Sequence, residues 1–175
     1  MTNRTHAAPS ASIEPTPTAM QQLADRLAIA DLNHRFADAI TRMDVAACAS
    51  MFTEDAEIVV TNWDTFAGRD EILRSLRELL SGWRGIVFTN HSGVAEIDGD
   101  AATGQWYIRE FGIKFDEEFD ISGVYHDTYR RTDGRWQFSS RRYDTLHLRR
   151  AGEIAVTRFP AELGGVGGDH DERQP

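Results

Sequence analysis

One cysteine, Cys48, in 175 residues leaves no intramolecular disulfide to form, and nothing in the composition asks for an oxidising compartment. No apolar run approaches the roughly 20 residues that a bilayer-spanning helix needs. The first residues, MTNRTHAAPSASIEPTPTAM, lack the continuous apolar stretch of a secretory signal. A cytoplasmic location without a membrane partner is the expectation. Basic residues are in deficit, 19 Lys and Arg against 28 Asp and Glu, for a formal charge of −9. Phosphate binding needs clustered cations, so nucleic acid is not an expected partner. Glycine-rich strand-to-helix loops that cradle phosphates are missing as well. His91, His126 and His147 show neither H-x-H nor H-x-x-x-H spacing. The expectation is therefore no metal and no cofactor. Cys48 lies among Ala46, Ala47 and Ala49, the setting of a buried, inert thiol rather than a nucleophile.

What the chain does have is a globular composition, 41% hydrophobic and 27% charged, at a length that suits one domain. Residues 1–18 hold three of the five prolines and almost no large apolar side chain. They read as a disordered tail, because nothing offsets their ordering entropy. Residues 151–175, ending GGVGGDHDERQP, read as a largely disordered extension. The domain is expected between them, at 19–150.

Apolar residues at helical spacing run from Met20 to Met51, with Leu23, Leu27, Ile29, Leu32, Phe36, Ala39, Ile40, Met43 and Ala47. Asp44 suits a break and an N-cap, giving a long helix and then a short one. EIVVT (57–61) reads as a strand, FAGRD (66–70) as a loop, and Asp70 as the cap of a helix carrying Ile72, Leu73, Leu76, Leu79 and Leu80. Strands follow at 86–97, with a bulge near Gly93, and at 102–115, 120–131 and 135–148. Asp98-Gly99 and Asp133-Gly134 are hairpin signals. Helices followed by a meander predict an α+β fold with the helices packed on one face of an antiparallel sheet.

The order of MDVAACASMFTEDAEI, FAGRDEI, HSGVAEIDGDAATGQWYI and YHDTYRRTDGRWQFSSRRY resembles the SnoaL-like branch of the nuclear-transport-factor-2-like superfamily over about residues 20–150. The resemblance extends to scytalone dehydratase, the bile-acid 7α-dehydratases and hexachlorocyclohexane dehydrochlorinase. It implies a cone-shaped, strongly curved antiparallel sheet with the N-terminal helices packed on its concave face, and a cofactor-free lyase or isomerase that moves a proton on an apolar, polyketide- or steroid-like substrate. It also implies a pocket His at His91. The helix Asp that pairs with this His in those enzymes falls at Thr41, and a helix tyrosine of some members falls at Phe36. The base pair is therefore incomplete. A non-catalytic ligand-binding or assembly module of the same fold is the alternative.

Strand alternation and the resemblance together give the candidate site. His91 is the first candidate for proton transfer, since an unperturbed imidazole titrates near neutral pH. Trp106 and Glu110 share one face of their strand. Glu110 matches a polar position of the resembled dehydratases and is the second catalytic candidate; its alternative is a pair with Arg109 or Lys114 on a solvated face. Tyr125, the third, shares a face with Asp127, and by the resemblance that face looks into the pocket. Arg141, Tyr143 and His147 are expected on one face at the pocket mouth, where Arg141 suits an anionic group. A solvated charge network is the other reading of that strand end. Phe36, Thr41, Trp106, Asp127, Arg141, Tyr143 and His147 are thus the expected substrate-binding residues. Asp38 stands near enough to Thr41 to replace the missing carboxylate. His126 has outer-face parity, and the outer sheet face is the expected homodimer contact.

Overall fold

The computed structural model describes residues 17–60 and 64–157, so the expected 1–18 tail lies almost wholly outside them. Helix α1 (Pro17–Thr41) begins on a proline, which the first helical position tolerates because its N–H has no partner there. It stops in a Schellman turn. Met43 takes a left-handed φ of 56°, Met43 N–H donates to Ile40 and Asp44 N–H to Ala39. Asp44 then caps α2 (Val45–Ser50), its carboxylate accepting from Ala47 N–H at 3.0 Å.

Strands β1 (Phe52–Val60) and β2 (Thr65–Ala67) form a small hairpin ahead of α3 (Arg69–Leu80). Two local expectations change here. Part of the expected loop is a strand, and Gly68, at φ 86°, occupies the α3 N-cap while Asp70 lies in the first turn. Four long strands follow: β3 (Trp83–Asp98), β4 (Ala101–Lys114), β5 (Glu117–Thr132) and β6 (Arg135–Arg150). A last strand, β7 (Glu153–Thr157), pairs back onto β6. This strand falls within the expected 151–175 extension, whose residues from 158 on lie outside the described ones.

The seven-stranded sheet is curved and unclosed, in the order β2-β1-β6-β5-β4-β3, with β7 also on β6. It is antiparallel apart from one pair: β1 runs parallel to β6, with Ile58 opposite Arg141. That pair departs from the expected all-antiparallel sheet, because α3 and the long meander separate the two strands in sequence. The helices cover the concave face, α1 against β3 and β6, α3 against β1.

The buried side of α1 is not the one the apolar spacing suggests. Ile29, Phe36 and Ile40 face the core together with Asp25 and Asn33, whereas Leu23 and Leu27 are exposed. Asp25 is accommodated because Arg131 donates to both its oxygens (2.7 and 2.8 Å) and Trp136 Nε1 donates at 3.1 Å. A buried carboxylate is tolerable only when paired in this way. This cluster pins the start of α1 to the β5–β6 hairpin.

Candidate active-site cavity

Strand alternation puts Phe88 of β3, Glu110 and Lys114 of β4, Ile121 and Tyr125 of β5, and Arg141 and Tyr143 of β6 on the inner face. With Phe36 and Ile40 of α1, Leu76, Leu79 and Leu80 of α3, and Ile58 and Val60 of β1, they enclose a cavity of about 210 Å³. The lining is mostly apolar with few convergent polar groups, the usual make-up of a small-molecule site.

Glu110 is the carboxylate of this lining, and the Tyr143 hydroxyl donates to its Oε1 at 3.0 Å. Burial raises the Glu110 carboxyl above its ordinary range, against the pull of the Tyr143 hydrogen bond and the Lys114 charge. Burial likewise raises the Tyr143 and Tyr125 hydroxyls, so both are proton donors at neutral pH. Tyr143 reaches Glu110 by lying flat across β5 at Gly123, where a Cβ would collide with its ring. Glycine is therefore required there for the contact.

Arg141 forms the cavity floor and is 1% exposed. Its Nε and Nη2 donate to Asp127 at 2.8 and 2.7 Å, and Nη2 donates to Asn33 Oδ1 at 2.6 Å. Tyr129 donates to the same Asp127 at 2.7 Å and accepts from Asn33 at 2.9 Å. The guanidinium carbon lies 3.9 Å from the Phe138 ring centre, 4.0 Å from Tyr125 and 4.5 Å from Phe36. Burial opposes the Arg141 charge, but the Asp127 contact outweighs it and the pKa is raised. Nη1 has no hydrogen-bond partner among the described residues.

Of the ten candidate site residues, Glu110, Tyr125, Phe36, Arg141 and Tyr143 meet in this cavity. Asp127 stands directly behind it, on Arg141. Thr41 lies beside the wall, where its hydroxyl accepts from Phe88 N–H (3.0 Å) and donates to Phe88 O (3.3 Å). Trp106 is a core residue further along β4, its ring filling the space above Gly93.

His91 and His147 lie elsewhere, and β-bulges explain both. Between Asn90 and Gly93 strand β3 carries one extra residue against β4, so Phe88 and Asn90 face inward and His91 is exposed on the bulge. Between Thr145 and His147 an extra residue flips β6, and His147 pairs with the outer-face Ser122. His126 is on the outer face as its parity implies, 3.3 Å from Asp144. Asp38 pairs with Arg42 on the exposed side of α1. Cys48 is buried and its thiol is pushed up to about 12, mainly by burial. Among the described residues no cluster of His, Cys, Asp or Glu could hold a metal ion, and no helix is long and apolar enough to cross a membrane.

Phe88, Ile121 and Lys114 are lining residues that the sequence reading did not single out. Parity with Glu110 along β4 was the available signal for Lys114. For Phe88 the signal was masked by the bulge.

The family model for the SnoaL-like domain matches residues 21–142. Among solved structures, a hexachlorocyclohexane dehydrochlorinase of Novosphingobium barchaimii is 23% identical with a TM-score of 0.70, over 80% of this chain and 97% of the other. A putative scytalone dehydratase of Novosphingobium aromaticivorans is 19% identical at a TM-score of 0.71, over 79% and 95%. A protein of unknown function from Mycobacterium tuberculosis is 25% identical at 0.66, over 74% and 76%. No curated protein matches the chain in sequence.

Proposed function

Because the chain belongs to the SnoaL-like domain family, we propose that it is a cofactor-free small-molecule lyase or isomerase in which Glu110 moves the proton. One observation carries this reading: a carboxylate inside an apolar cavity, held by Tyr143 at 3.0 Å, with its pKa raised by burial. A carboxyl group tuned upward in this way accepts a proton more readily than an ordinary carboxylate and can return the proton that it takes. The dehydrochlorinase and the putative dehydratase that share the fold agree with a reaction of the elimination type.

The chemistry follows from the geometry. Glu110 takes a proton from a carbon next to a substrate carbonyl, and the electron pair moves into the carbonyl as an enolate. Nη1 of Arg141 and the Tyr125 hydroxyl are donors on the same cavity wall for the oxygen that gains charge. The protonated Glu110 then returns its proton. Delivery to another carbon completes an isomerisation, and delivery to a departing hydroxyl releases water.

Incorporation of deuterium from D2O into cyclic ketones and β-hydroxyketones, followed by NMR, tests this directly. Glu110→Gln is expected to slow exchange by about 10²- to 10⁴-fold, whereas His91→Ala leaves it unchanged. Exchange at the wild-type rate in Glu110→Gln overturns the reading. A non-catalytic binding module is the second reading, favoured by one observation: no histidine of the described residues lines the cavity. It predicts ligands that raise the melting temperature without any exchange.

A further inference from the structure

The mechanism above leaves one charged group in the cavity without a task. Lys114 is the last residue of β4, next to the Phe115–Asp116 turn, and its side chain lines the cavity from that end. Its ammonium donates to Leu79 O in the last turn of α3 at 3.1 Å, and it lies 5.5 Å from the Trp83 ring centre and 5.6 Å from that of Phe115. A helix C-terminus and two aromatic faces attract a cation without neutralising it. Lys114 makes no ion pair with any carboxylate of the described residues. The cavity's other cation is already matched, since Asp127 holds Arg141 through two hydrogen bonds.

We infer that Lys114 is a specificity-determining residue that binds a carboxylate on the substrate, so that the cavity selects small alicyclic or aromatic acids over their neutral isosteres. Two of the three ammonium donors remain for that group after the Leu79 contact. The separation suits the role. Glu110 and Lys114 share the inner face of β4, their Cα atoms about 13 Å apart at the usual strand rise. A ring lying between the two side chains brings its reacting carbon to Glu110 while its carboxylate points toward the open end. The apolar wall of Leu76, Leu79, Leu80 and Ile121 covers the ring. Burial lowers the Lys114 pKa, partly countered by the Glu110 charge, and a bound carboxylate would relieve that penalty.

This inference rests on the cavity being the substrate site, and its test is separable from that of Glu110. Binding of cyclohexanecarboxylate against cyclohexanecarboxamide, and of benzoate against benzamide, is measured by calorimetry on the full chain. Wild type is expected to prefer each acid by about tenfold or more, the usual yield of a charged hydrogen bond. Lys114→Met keeps the apolar stem and is expected to abolish the preference while holding amide affinity within about twofold. Lys114→Arg is expected to retain a preference, which separates loss of charge from loss of fold. Equal affinity for acid and amide in wild type overturns the inference, as does a preference that persists in Lys114→Met or no binding of any of the four. Loss of exchange in Glu110→Gln together with no acid preference condemns Lys114 alone. Acid preference with exchange intact in Glu110→Gln condemns the proton-transfer role alone.

Discussion

At the scale of single residues, the proposed chemistry rests on a carboxyl group that the fold makes reluctant to ionise. Burial lifts the Glu110 pKa above its ordinary 4.5, so the folded state favours the protonated form. Its contribution to stability is complete below 4.5 and declines as pH rises toward the folded value. Asp25 has the opposite sign: Arg131 lowers its pKa from 3.8, so its contribution is lost as pH falls. Comparing wild type with Glu110→Gln cancels that second effect. The melting temperature of wild type is expected to fall relative to Glu110→Gln as pH is raised above about 4.5. A difference that stays constant from pH 4 to 8 would contradict the raised pKa. His91 makes the complementary point. On an exposed bulge it has no hydrogen-bond partner among the described residues and no apolar wall to act against.

At the scale of elements, the helices, the hairpins and most of the inner face were legible in the sequence. Asp133-Gly134 marks its turn, and Glu110 and Tyr125 occupy the faces that simple alternation gives them, whereas Arg141 and Tyr143 share the inner face with Phe138 only because β6 carries an extra residue between Phe138 and Ser140. Alternation fails where a strand carries an extra residue. The β3 bulge between Asn90 and Gly93 and the β6 bulge between Thr145 and His147 each change parity by one, and they account for both histidines that fall outside the cavity. No turn chemistry announces either bulge apart from Gly93, whose missing side chain makes room for Trp106. Gly93→Ala would force the Trp106 ring to move. It is expected to cost about 1–3 kcal/mol, the usual range for overpacking, read as a lower urea midpoint. The exposed Leu23 and Leu27 of α1 were misread for a different reason. The helix face that enters the core carries Asp25 and Asn33, and only their long-range partners Arg131, Trp136, Tyr129 and Arg141 make that burial tolerable. Spacing along one element cannot reveal partners on another.

At the scale of the molecule, the cone has a tied end and a working end, and the Arg141–Asp127 pair sits where they meet. Towards the tied end, Asp25 locks α1 to the β5–β6 hairpin through Arg131 and Trp136. Towards the other lie the cavity and Lys114. Asn33 of α1 bonds Arg141 of β6 and Tyr129 of β5, so the same network fixes the helix layer on the sheet and holds the guanidinium in place. A buried ion pair owes much of its cost to desolvation, and removing one partner leaves the other charged and unmatched. Asp127→Ala is therefore expected to cost about 3–5 kcal/mol, seen as a lower urea midpoint with an unchanged slope. Pairing it with Arg141→Met removes the orphaned charge, since methionine fills an aromatic slot without asking for a hydrogen bond. The double variant should regain part of the lost stability, so the two effects are non-additive. On the proposed mechanism it is nonetheless expected to show no deuterium exchange, because the Arg141 guanidinium that lines the cavity is gone. A double variant no more stable than Asp127→Ala would mean that the pair is held by packing around it rather than by charge.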